Sequence, residues 1–326
     1  MAQREDIDIV ITWVDGDDPA HRAKRAAWGG GGGHQQRDDI DGEVRFSSLG
    51  EIFYAVGSLL RFAPWLRTIW IITDNQRPAG LHEWVERHFP EATTRIEIVD
   101  HRVIFEGHEE VLPTFNSITI ESMMWRIPGL AEHYLYSNDD IFLTAPVEPS
   151  VWFREGRPVL YGERMSTLVG RLLRRLKPKK GGRRPFGHKD PMVNAAQMVG
   201  SGHFWVWPHA PLALRRSWHE EFFASHPEWL GANIAHRFRH PSQFSYAEPF
   251  YIDGVRKGDV VVENPRGLTL FLKPRAGRKG YMERKLREAE GNPRLQFCCI
   301  NSLSEADPEE QEMFHKWASE RIGVPH

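Results

Sequence analysis

The run Tyr134-Leu135-Tyr136-Ser137-Asn138-Asp139-Asp140-Ile141-Phe142-Leu143 sets three adjacent oxygen-bearing side chains between apolar segments. It reads as a buried strand whose end presents carboxylates. Neighbouring carboxylates repel each other, and holding them beside a core is costly unless a cation or a proton compensates. Carboxylate and amide oxygens are the hard ligands that Mg²⁺ or Mn²⁺ prefers, and such a cation binds phosphate oxygens in turn. The first expectation is a metal site for a nucleotide diphosphate. The competing reading is a turn with an Asn/Asp cap before the next element.

The surrounding pattern supplies a scaffold for that strand end. Asp8-Ile9-Val10-Ile11-Thr12-Trp13-Val14 is a β-branched apolar run closed by the acidic turn Asp15-Gly16-Asp17-Asp18-Pro19, so it predicts a buried strand. Further strands are predicted at 66–73, 96–99 and 133–137, and helices at 20–28, 44–63, 80–89 and 116–127. Pro64 ends the second helix. Strands alternating with helices indicate an α/β fold, a mostly parallel sheet flanked by helices. Ligands bind such sheets at the carboxyl ends of the strands. Asp15, Asp74-Asn75, Asp100-His101 and Asn138-Asp139-Asp140 all follow strands. Adjacent strand residues point to opposite faces, so one of Asp139 and Asp140 is expected as a direct ligand. Beyond residue 150 the pattern is less regular, with amphipathic helices predicted at 211–224 and 305–321.

The 326 residues suffice for one large domain, and a single catalytic domain over 1–326 is expected. A net charge of −2 gives no global attraction to nucleic acid or anionic lipid. The adjacent Cys298 and Cys299 offer no disulfide framework, which fits a reducing compartment. The N-terminus enters a strand with no apolar leader, and no stretch reaches the roughly 18 apolar residues needed to span a bilayer. The expectation is a cytoplasmic protein. Gly29 to Gly33 read as a loop, since neither the Walker nor the dinucleotide spacing is present. Residues 168–184 form a basic insertion in which Leu168, Leu172, Leu173 and Leu176 alternate with Arg171, Arg174, Arg175 and Lys177. It reads as a basic amphipathic helix that touches an anionic surface at the inner membrane face or a polyanionic polymer, or as a solvated mobile loop near the site.

The block from Asp8 to Pro19 is similar to the first block of the Stealth family. A second block resembles Arg45-Phe46-Ser47-Ser48-Leu49, Phe62-Ala63-Pro64-Trp65-Leu66-Arg67, Ile72-Thr73-Asp74-Asn75-Gln76, Leu112-Pro113-Thr114-Phe115-Asn116-Ser117 and Tyr136-Ser137-Asn138-Asp139-Asp140. A third looks like Trp207-Pro208-His209-Ala210-Pro211 followed by Arg237-Phe238-Arg239-His240. A fourth looks like Phe297-Cys298-Cys299-Ile300-Asn301. Two positions depart from the pattern: Ser302 stands where the family often has Asp, and Asp74-Asn75-Gln76 where it often has Asn-Gly-Gln.

The resemblance implies a nucleotide-diphosphosugar fold of the glycosyltransferase-A kind. It also implies transfer of a whole sugar-1-phosphate from a UDP-sugar, with UDP-N-acetylglucosamine favoured, to a polysaccharide or oligosaccharide hydroxyl. Asp139 and Asp140 are expected to hold Mg²⁺ or Mn²⁺, with Asp140 the direct ligand and Asn301 a neutral one. Asn301 reads otherwise as a strand cap. By the same resemblance His209 is the general base, and its ordinary pKa near 6.5 suits that task. Arg239 offers a rigid cationic fork for phosphate. Asp8 matches a functional position, or is a turn residue at a strand start. Trp13, Val14 and Asp15 would receive uracil and ribose, with core packing the other reading of Trp13. Arg45 and Asn75 belong to the expected donor site. Asn116 reads as a site residue or as a helix N-cap.

Overall fold

The computed structural model describes residues 6–29, 50–176, 187 and 189–325. Its strands are β1 (Ile7–Thr12), β2 (Thr68–Thr73), β3 (Arg95–Asp100), β4 (His133–Asn138), β5 (Ile141–Leu143), β6 (Phe153–Arg154), β7 (Arg157–Tyr161), β8 (Glu163–Ser166), β9 (His203–Val206), β10 (Leu212–Arg215), β11 (Val261–Glu263), β12 (Thr269–Leu272) and β13 (Phe297–Ile300). The central sheet runs β10-β4-β1-β2-β3. Its four other strands are parallel, and β10 is antiparallel to β4. Strands β12, β13 and β5 form a second sheet beside the site.

Side-chain alternation divides the core into two layers. Ile9 and Ile11 of β1, Ile69 and Ile71 of β2, and Leu135 of β4 face one layer. Val10, Ile72, Tyr134 and Tyr136 face the other. Because both faces are covered, β1 is buried almost throughout rather than alternately, as parallel strands require.

Helix α1 (Pro19–Gly29) follows β1, and α2 (Glu51–Phe62) buries Ile52, Ala55, Val56, Leu59 and Leu60 against the first layer. Gly57 lets α2 approach Trp84 closely, since a Cβ there would stand 2.7 Å from the indole. The chain proceeds from β1 to β2 and β3 on one side, then returns to place β4 on the other side of β1. The gap between the carboxyl ends of β1 and β4 is therefore the topological switch point. Thr12 is level there with Asn138 and with Ile72.

Three local expectations change. Residues 212–215 of the predicted 211–224 helix are β10, and helix 216–225 follows it. The partner strand β4 decides this, because Leu212 to Arg215 pair with Tyr136 to His133. The predicted 116–127 helix is helical over Ser117–Glu121 and then tightens to a 3₁₀ turn at Met124–Arg126. The Ser122 hydroxyl bonds back to the Ile118 carbonyl at 2.8 Å, and Pro128 closes the run. Asp139 and Asp140 lie in the turn between β4 and β5 rather than in the strand, so strand alternation does not force them apart. Among the described residues, no helix is long and apolar enough to cross a membrane.

Candidate active site

A cleft of about 1370 Å³ crosses the carboxyl edge of the sheet at the switch point. The end of β1 contributes Thr12, Trp13 and Val14, and the end of β4 contributes Asn138, Asp139 and Asp140. His209 lies between β9 and β10, Arg239 on a later loop, and Asn301 just after β13, and all three line the same cleft. Residues from four sequence blocks thus meet because the strands that carry them end on one edge.

The acidic floor is built from three elements. Burial pushes the Asp139 carboxyl well above the usual carboxylate range, and the adjacent Asp140 and then Glu51 add to the shift. Glu51 opens α2, a position the sequence reading missed because it looks like an ordinary first-turn acid. The Cys299 thiol donates to Asp140 Oδ2 at 3.6 Å, and burial keeps that thiol protonated. The Ile300 amide donates to the Asp140 carbonyl at 2.9 Å, fastening β13 to the turn. Asn301 follows, its Oδ1 accepting from the Ser302 hydroxyl at 3.0 Å.

Among the described residues, no three His, Cys, Asp or Glu side chains gather into a metal cage. Asp139, Asp140 and Asn301 instead provide two carboxylates and an amide. That set fits Mg²⁺ or Mn²⁺, which commonly takes one or two carboxylates and completes its shell with water and substrate phosphate. The raised pKa of Asp139 supports the fit, since a cation there would offset the burial and the crowding of like charges that disfavour its charged form.

Cationic and aromatic residues line the rest of the cleft. Arg239 Nη2 donates to Ser117 Oγ at 2.8 Å, and Lys273 and Arg275 line the cleft nearby. The His209 ring stacks on Phe271 with centroids 4.6 Å apart. Burial, then the charge of Lys273, lowers the His209 pKa below its ordinary 6.5, so the imidazole is neutral at neutral pH. Phe115 and Phe238 stack at 5.3 Å against Val14. Trp13 packs into the core while its edge borders the cleft, and its Nε1 is buried with no partner among the described residues. Phe115, Phe271, Lys273 and Arg275 carried no spacing signal, because isolated aromatic and basic residues are indistinguishable from core and surface until the fold brings them together.

Other expected residues lie elsewhere. Asp8 is a correction. It sits at the amino end of β1, four residues or about 13 Å from Thr12. It is fully buried, and Arg67 grips both oxygens, at 2.8 Å to Oδ1 and 2.5 Å to Oδ2. The Trp70 indole and the Ala131 amide each donate to Oδ2 at 2.9 Å. Four donors hold its two oxygens, so Asp8 braces the sheet, and it does not line the cleft. Asp15 shapes the turn after β1, accepting from the Asp17 amide at 2.9 Å, and does not line the cleft. Asn75 is exposed with φ 56°, and its neighbour Asp74 lines the cleft instead, paired with Lys24 at 2.8 Å. Asn116 is a buried N-cap that accepts from the Ile118 amide at 3.2 Å. Its Nδ2 donates to the His236 carbonyl and to Gln243 Oε1, each at 2.9 Å, so it secures the loop that carries Arg239. Arg45 lies outside the described residues.

Similarity to known proteins agrees with this arrangement. Residues 5–33 match Stealth protein conserved region 1, and residues 45–159 match conserved region 2. The chain is similar to an exopolysaccharide phosphotransferase of Streptomyces coelicolor, 36% identical over 254 residues, covering 75% of this chain and 39% of that protein. It therefore spans about two fifths of that relative's length. It is 27% identical over 341 residues to the capsular polysaccharide phosphotransferase WcwK of Streptococcus pneumoniae, covering 94% of this chain and 93% of that protein. Among solved structures, the bifunctional glycosyltransferase WbbM superposes with a TM-score of 0.51 at 9% identity, over 99% of this chain and 50% of that chain. The fold is thus of the glycosyltransferase-A type.

Proposed function

Because this chain is a Stealth protein, carrying conserved regions 1 and 2 in order, we propose that it transfers a sugar-1-phosphate from a UDP-sugar to a glycan hydroxyl in capsule or exopolysaccharide synthesis. UDP-N-acetylglucosamine is the favoured donor. The observation that carries this reading is the convergence of Asp139 and Asp140 with Arg239, Lys273 and His209 on one cleft at the switch point. Acidic and cationic groups lining one space suit a diphosphate and the ion that accompanies it.

In the reaction the acceptor oxygen attacks the phosphorus attached to the sugar. A new P–O bond forms, the P–O bond to UMP breaks, and UMP leaves with that electron pair. The C1–O bond stays intact, so the anomeric configuration is kept. His209, neutral and held flat by Phe271, takes the acceptor proton on its ring nitrogen. Arg239 and Lys273 stabilise charge on the phosphoryl oxygens. Asp139, Asp140 and Asn301 would hold Mg²⁺ or Mn²⁺, whose chemistry is to neutralise the diphosphate and ease departure of UMP. Val14, Phe115 and the edge of Trp13 form the apolar wall suited to the base.

The deciding experiment separates UMP from UDP after incubation with UDP-N-acetylglucosamine, Mg²⁺ or Mn²⁺ and a panel of glycan acceptors. Acceptor-dependent UMP, lost in His209→Ala, is the expected result. Acceptor-dependent UDP would make the protein a glycosyltransferase. Sugar-nucleotide binding without turnover across the panel would favour a non-catalytic carbohydrate-binding role.

A further inference from the structure

Strands β8 and β9 form a hairpin whose connection holds two helices, α6 (Thr167–Leu176) and α7 (Asp190–Met198), numbered here after the shorter helices 81–88, 101–104 and 117–121. Helix α6 inverts the usual arrangement of an amphipathic helix on a protein surface. Its apolar residues face outward, with Leu168 72%, Val169 46%, Leu172 56%, Leu173 47% and Leu176 71% exposed. The contact with the body is made instead at Gly170, where a Cβ would stand 2.8 Å from the Phe204 ring and 2.9 Å from Val193 of α7. The first turn is tied down by Thr167, whose amide and hydroxyl both bond to the Gly202 carbonyl at 3.0 Å.

At 100° per residue the five apolar side chains span one stripe about 140° wide, and Gly170 lies on the far side. Arg171 and Arg175 are exposed and lie along one edge of the stripe. No acidic residue occurs between Glu163 and Asp190, although the whole chain has a net charge of −2. A ten-residue helix is marginal alone in water. The glycine contact and the Thr167 anchor hold it formed while leaving its apolar stripe to solvent.

We infer that α6 is a docking element for an anionic lipid surface. Its aliphatic stripe enters the headgroup boundary while Arg171 and Arg175 meet lipid phosphates, the arrangement of helices that lie in a membrane plane. Nucleic acid would engage the arginines and leave the leucines in water. A second copy packing antiparallel, stripe against stripe, would bring the like-charged edges together. The inference does not depend on the transferase reading, because its readout is binding and not turnover.

The test is flotation of the full chain with vesicles of phosphatidylcholine alone or of phosphatidylcholine mixed with phosphatidylglycerol, alongside gel filtration. The expected result is binding to the mixed vesicles that weakens with salt. The pair Arg171→Gln/Arg175→Gln lowers it roughly 30-fold, and Leu172→Gln/Leu176→Gln lowers it at least about tenfold. These positions are exposed, so the variants should fold, and UDP-sugar turnover in solution should match wild type. No flotation with the mixed vesicles, wild-type binding by either variant pair, or a solution dimer that the leucine pair dissociates would each overturn the inference.

Discussion

Strand β1 has a carboxylate near its amino end and opens beside an acidic pair at its carboxyl end, and the two are built oppositely. Asp8 is fully buried with donors from Arg67, Trp70 and Ala131 on its oxygens. Asp139 borders a cleft, and burial beside Asp140 and Glu51 holds its carboxyl well above the usual range. A buried charge supplied with all its partners by the fold is a brace. Acids that the fold crowds together disfavour one another's charge, and such sites are where a bound cation or a reaction uses the stored electrostatic cost.

Four measurements test this contrast. The largest effect is expected from Asp8→Ala, which leaves the Trp70 indole and the Ala131 amide without their acceptor and takes from Arg67 its buried partner. Unfolding in denaturant should show a loss of about 3–5 kcal/mol. Near-native stability combined with abolished transfer would return Asp8 to the site and dissolve the contrast.

Asp140→Asn comes next. It should lower transfer about a hundredfold, about 2.7 kcal/mol of barrier, while leaving the unliganded protein as stable as wild type or more so. The sign follows from Asp139. Its folded-state pKa is raised, so its contribution to stability is present below the unfolded value and lost as pH rises. Removing the neighbouring charge reduces that loss. The advantage of the variant should therefore grow from about pH 4 to pH 8, and a melting difference constant across that range would refute the crowding argument.

Asn116→Ala removes an N-cap and two bonds to the loop bearing Arg239. A loss of about 1–2 kcal/mol is expected. The donor KM should rise more than kcat falls, because the residue secures the loop without facing the cleft. A pure kcat defect at unchanged stability would place Asn116 against the substrate. The smallest effect concerns Ser302, which holds φ 62° at the cleft edge. Ser302→Gly should relieve that backbone and raise stability by under about 1 kcal/mol. Destabilisation would mean that the Ser302 hydroxyl bond to Asn301 outweighs the strain.

The sequence by itself determined the layer architecture and the place of the site. Apolar β-branched runs alternating with helical periodicity can bury both faces of a parallel sheet in few other ways, and polar clusters after each run mark the strand ends. The cleft-lining Asp139, Asp140, Asn301, His209, Arg239, Trp13 and Val14 were legible from motif and resemblance. Tertiary structure decided what pattern cannot carry. Pairing with β4 made 212–215 a strand. Packing brought Glu51, Phe115, Phe271 and Lys273 to the cleft from distant segments. The run that holds Asp8 predicts a buried strand whatever the aspartate does, and only the arrival of Arg67, Trp70 and Ala131 around it distinguishes a brace from a catalytic acid. The same holds for 168–176, where periodicity gives an apolar stripe and the close approach at Gly170 turns that stripe to solvent. Local sequence sets which backbone each segment adopts, but burial and charge depend on neighbours that only the folded chain supplies.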